Sequence, residues 1–110
     1  MSVTRINDMI NRAGQTVTLR RVAGTTSQTF TDVVAKASVR GYQPHDLVGP
    51  VQQGDREVTI GVWEMLVAGW PMPPRRNDKV IIDGTVTNVE AAEVRHFRED
   101  IAFYVLRCRG

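Results

Sequence analysis

Alternation of apolar and polar positions dominates the chain from residue 15 onward. Val17, Leu19 and Arg21 alternate with Thr16, Thr18 and Arg20, and the β-branched content predicts a strand over Gln15–Val22. Phe30 to Tyr42 repeats the pattern, with Val33, Ala35, Ala37 and Val39 on one face and Lys36, Ser38 and Arg40 on the other. Arg56 to Ile60 predicts a third strand, with Val58 and Ile60 on one face. Lys79 to Asp83 and Val86 to Val94 flank Asp83-Gly84, a two-residue hairpin signal. Ile101 to Arg107 closes the series after a polar turn over Arg95–Asp100, with both faces of the strand largely apolar.

A different period appears twice. Ile6, Met9, Ile10 and Ala13 fall on one helical stripe, which predicts an N-terminal arm or short helix over residues 1–14, stopped at Gly14. Val62, Met65 and Leu66 stand at i, i+3 and i+4, so a short helix is expected over Val62–Ala68, ending at Gly69. Between the periodic segments lies an irregular stretch over 41–56, broken by Gly41, Pro44, Gly49, Pro50 and Gly54. Trp70 to Asn77 holds three prolines and predicts a rigid extended connector. About six strands without a βαβ rhythm predict a mostly β fold. The solutions are a small antiparallel β-barrel or sandwich with one or two short helices and a long irregular loop, the single domain occupying 15–110.

Composition changes this picture little. Fourteen Lys plus Arg against twelve Asp plus Glu give a net charge of +2, too small to argue nucleic-acid binding by itself. Twelve of the cations are Arg, which suits bidentate contacts at interfaces; codon preference in a GC-rich genome produces the same excess. The single cysteine, Cys108, forms no intrachain disulfide and fits a reducing compartment. The start shows no apolar run behind a basic patch, so no secretory signal is expected. The apolar runs are too short to span a bilayer, and no membrane association is expected.

The residues that would carry catalysis are not arranged for it. His45 and His96 have no Cys or His at metal-ligand spacing, so neither a metal nor a cofactor is expected. No nucleophile elbow, phosphate-binding loop or dinucleotide glycine pattern occurs, and Cys108 reads as a packing residue. Glu90 with Glu93, and Glu99 with Asp100, read as solvated hairpin carboxylates. The candidates for contact are different. Tyr42, Leu47, Val48 and Val51 are apolar residues in a breaker-rich loop and need a surface to bury against. Trp63 and Trp70 bracket the second helix and suit the core or an interface equally. Arg75, Arg76 and Lys79 form a basic cluster beside the connector; with Arg56 they are either a solvated face or contacts to an acidic partner or phosphate.

Taken in order, QTVTLRRV, FTDVVAKASVRGY, the Pro/Gly loop, GDREVTI, the short helix, GWPMPPRRNDKVIIDGTVTNVEAAEV and the closing LRCRG resemble the head-closure proteins of long-tailed phages and prophages. These are also called head–tail joining or stopper proteins. The Pro73–Gly84 segment is similar to the family's proline, basic residue and "GD-x-V-x-I-D-G" hairpin. Asn77 stands where glycine is common, and Asn tolerates a positive φ.

The resemblance implies a virion neck protein, assembled in the host cytoplasm as a homo-oligomeric ring of about twelve copies. Its partners would be the portal-adaptor protein above, a tail terminator or tail tube below, and packaged DNA in the channel. The ring closes that channel after packaging and offers the tail a docking surface. On this view Tyr42, Leu47, Val48, Val51, Trp63 and Trp70 meet subunits or the adaptor. Arg56, Arg75, Arg76 and Lys79 meet acidic neighbours or DNA, and the loop over Tyr42–Asp55 projects toward the ring axis. The competing classes are a tail terminator, a small barrel that binds single-stranded nucleic acid, and a small hydrolase or metal enzyme.

Overall fold

The computed structural model of the protein describes residues 2–23, 29–41, 49, 54–70 and 74–110. The alternating segments become β1 (Gln15–Ala23), β2 (Thr29–Gly41), β3 (Arg56–Gly61), β4 (Lys79–Ile82), β5 (Thr85–Phe97) and β6 (Asp100–Arg109). All neighbours pair antiparallel, in the order β1-β2-β3-β6-β5-β4, and β4 returns to β1 to close a barrel. The choice between barrel and sandwich turns on that last ladder, in which Thr18 faces Ile81 and Leu19 faces Val80. The fold is thus mostly β: a closed six-stranded antiparallel barrel with two short helices.

The interior is filled from every strand. Val17, Leu19, Ala35, Ala37, Val58, Ile60, Val80, Ile82, Val89 and Leu106 are all buried. Directly paired residues share a face, so this inward set fixes the register of the whole sheet. On β6 the inward residues are Ala102, Tyr104, Leu106 and Cys108, while the alternate face is half-buried rather than core.

The helices sit at two places where their ends are well determined. Helix α1 (Val3–Ala13) starts at Ser2, whose Oγ accepts a hydrogen bond from the Arg5 N–H at 3.2 Å. It ends at Gly14, where a Cβ would stand 2.8 Å from the Ala37 carbonyl oxygen, so close approach to β2 requires glycine. Helix α2 (Val62–Ala68) leaves β3 directly and stops at Gly69, which adopts φ 80° and donates to the Leu66 carbonyl. Both helices pack against β2, β3 and β6.

Three expectations are revised. Among the described side chains of helix α1 the one that sinks deepest is Asn7, not a member of the apolar stripe, and Met9 of that stripe is exposed. Leu66 points to solvent, because α2 rests on the barrel through Val62 and Met65. The polar turn over Arg95–Asp100 shrinks to Arg98-Glu99, because Arg95, His96 and Phe97 pair with Phe103, Ile101 and Asp100. Arg98 takes φ 59° at this tip, so nothing as obvious as a glycine marks it in the sequence. The Asp83-Gly84 hairpin forms as expected, with φ 49° and 80°, and Asn77 adopts φ 77°.

Candidate interaction surfaces

Helix α2 reads Val-Trp-Glu-Met-Leu-Val-Ala, and its one charged side chain is already committed. Glu64 Oε1 accepts the Lys36 backbone N–H at 2.8 Å. Val62 and Met65 face the barrel, while Trp63 (48% exposed), Leu66 and Val67 (87% exposed) face outward. A helix that is apolar all round is normally buried all round. The outer stripe of α2 continues onto Ile101 of β6, across a groove of about 280 Å³ that also contacts Val3 and Asp100.

This ridge is anchored by hydrogen bonds at the start of α2. The Asn7 amide nitrogen donates to the carbonyls of Val3 (2.8 Å) and Ala102 (3.0 Å), and its Oδ1 accepts the Trp63 N–H at 3.0 Å. One buried side chain therefore ties α1 to β6 and satisfies an open N–H in the first turn of α2. Gly61 makes room for it, since a Cβ there would lie 2.0 Å from Asn7 Oδ1. The amphipathic pattern of α1 gives no hint of this role, because an Asn in a short helix reads as surface.

The two tryptophans divide. Trp63 is at the surface, whereas Trp70 is 5% exposed and belongs to the core. Arg21 lies 5.1 Å from the Trp70 ring centroid and clasps Asp78 through paired bonds of 2.9 and 2.8 Å. Those bonds push the Arg21 guanidinium above its already high ordinary pKa, against the opposing effect of burial. Asp78 Oδ2 also accepts the Arg75 N–H at 2.9 Å, so the turn before β4 is built around this carboxylate.

The predicted basic cluster is divided between two environments. Arg75 and Arg76 are exposed at that turn, while Lys79 is half-buried on β4 with its amine bonded to Asn88 Oδ1. Arg56 is half-buried at the start of β3, beside a more organised group that sequence reading missed. There Asp55, 2% exposed, takes both oxygens to Arg109 at 2.9 and 3.0 Å, and Arg107 approaches to 3.9 Å. The partners are far apart in the chain, which no local pattern reveals. Tyr42, Leu47, Val48 and Val51, and with them most of the proposed channel loop, lie outside the described residues, while Asp55 at its end is buried.

Burial pushes the Cys108 thiol up to about 11, so it stays protonated at neutral pH. Among the described residues, no three of His, Cys, Asp or Glu gather as a metal site requires. Tyr104 is buried, and Phe103 borders a groove roofed by Ile6, Met9 and Ile10 of α1, so β6 offers no open platform for stacked bases. No helix among the described residues is long and apolar enough to cross a membrane. No family model matches the sequence, and no curated protein matches it.

Proposed function

We propose that this protein is a structural, non-catalytic component of a phage neck, a head-closure protein that acts as a ring of identical subunits between portal-adaptor and tail. The observation that carries the reading is the outer stripe of α2. Trp63, Leu66 and Val67 form an apolar ridge on a closed barrel, and such a ridge is the signature of a surface that meets protein. The resemblance carried by the order of sequence motifs supplies the particular assembly.

The test is electron microscopy of particles assembled without this protein. Filled heads that leak DNA and carry no tails are the expected outcome. DNA-retaining heads beside free tails of irregular length would reassign the protein as a tail terminator. Normal infectious particles would end the neck reading.

A further inference from the structure

The β5–β6 hairpin outruns the barrel that it helps to close. β4 is four residues long and β5 thirteen, so β4 covers only residues 85–88 of the outer edge of β5. Val89 extends the cover by one step: its N–H donates to the Asp78 carbonyl at 2.8 Å, and its carbonyl accepts the Asn77 N–H at 2.9 Å. Beyond it, over residues 91–97, β5 pairs with β6 on one side. On the other side, no backbone hydrogen bond reaches it among the described residues. Open edges are normally blunted by Lys, by Pro or by an inward-pointing charge. Residues 91–97 contain no Lys and no Pro. Ala92 and Val94, which pair with the buried Leu106 and Tyr104, are apolar.

The sequence of this edge is complementary to itself. Set antiparallel against a second copy with Val94 opposite Val94, it places each Glu93 opposite Arg95 of the other copy, and Ala92 opposite His96. Glu93 and Arg95 share a face of β5, where they bond each other at 2.6 Å. The pairing therefore puts four charges of alternating sign around the two-fold axis. Val94, 41% exposed in the single chain, is covered by its counterpart. Moving the centre to Glu93 or Arg95 sets like charges face to face. We infer that the free chain associates with a second copy of itself through this edge, the two β5 strands pairing antiparallel in the Val94-centred register. The contact is isologous and closes at two copies. It is therefore not a ring contact, and it does not depend on the neck reading.

Sedimentation equilibrium of the purified full chain over a range of concentrations tests it. Both charges are exposed, so Glu93→Arg and Arg95→Glu leave the fold intact. Each single variant turns two opposite-charge pairs into like-charge pairs, and its dimer is expected to be weaker than the parent's by about tenfold or more. Mixing the two single variants in equal amounts restores the complementary pairs, and so does the exchanged double variant. A mixture that associates no better than its components would overturn the register. Single variants that dimerise like the parent would overturn the proposal in favour of another face. A parent that stays monomeric up to its solubility limit would overturn it outright and leave the edge to an extended segment of a different protein. Val94→Cys adds a geometric check. Opposite residues lie about 4.5–5.5 Å apart at Cα, within disulfide reach, so mild oxidation should link the dimer. Cys108 is buried and stays out of the reaction. Failure to link where the parent dimerises would remove Val94 from the axis and overturn the register.

Discussion

Asn7 has three hydrogen-bonding groups in one buried side chain, and all three find partners on different elements. Gly61 is its counterpart, and the two positions are expected to couple. Gly61→Ala forces a Cβ onto the Asn7 amide and should cost about 2 kcal/mol. Asn7→Ala leaves the Ala102 carbonyl and Trp63 N–H unpaired and should cost about as much. The double variant should lose markedly less than the sum, because Asn7→Ala removes the atoms that the new methyl strikes. Urea unfolding of the three variants measures the coupling, and additive losses would show that the amide does not bridge these elements.

Cys108 makes a separate prediction at alkaline pH. Its folded pKa is raised to about 11 by burial, above the ordinary thiol value of 9.0. Below pH 9 both states keep the proton and the thiol adds no pH dependence. Between 9 and 11 the unfolded chain releases the proton first, so stability falls with rising pH, by roughly 2 kcal/mol at pH 11. Cys108→Ala should lower stability at pH 8 and flatten this alkaline decline. An unchanged slope in urea midpoints between pH 8 and 11 would assign the decline to other groups.

At the scale of elements, local pattern and local chemistry were enough for most of the fold. The strand alternation, the Val62–Ala68 helix and the Asp83-Gly84 hairpin all stand where the sequence predicts them. Asn77 illustrates why: its φ of 77° is a backbone demand that only a few residue types meet without penalty. Asn77→Gly should therefore be tolerated, while Asn77→Val should lose about 1–2 kcal/mol in thermal or urea unfolding. Equal stability of the two variants would mean that the turn relaxes. What local pattern missed depends on distant pairing. The extension of β5 to Phe97 exists because β6 has residues to pair with it, and closure exists because β4 meets β1. Likewise the Asp55–Arg109 and Arg21–Asp78 pairs join strand ends that neither segment announces alone. Asp55→Asn should make the first of these visible, with a loss of about 2 kcal/mol, since it removes the charge of a buried carboxylate that holds Arg109 and is approached by Arg107. Urea midpoints of the two proteins report it.

For the whole molecule, the closed barrel separates the inward side chains that fold the chain from the apolar ridge left on its outside. Closure removes free sheet edges around the interior, and the inward residues hold the fold without help from the outer apolar groups. Position 67 lies wholly on the outer side of that division, being 87% exposed on a helix that anchors itself through Val62 and Met65. Val67→Asp should leave the thermal midpoint within about 2 °C of the parent, as exposed substitutions generally do. Placed against an apolar partner, the same carboxylate is desolvated without a counter-charge, which disfavours the contact by several kcal/mol. On the proposed neck function, particles assembled with Val67→Asp as their only copy should then show the defect of particles that lack the protein, although the variant is folded and abundant. Val58→Asp puts the charge inside the barrel and should fail earlier, as insoluble or degraded chain. Full assembly by Val67→Asp would show that the ridge is bare surface, and equal misfolding of the two variants would show that the division between fold and contact is not where the exposure of these side chains puts it.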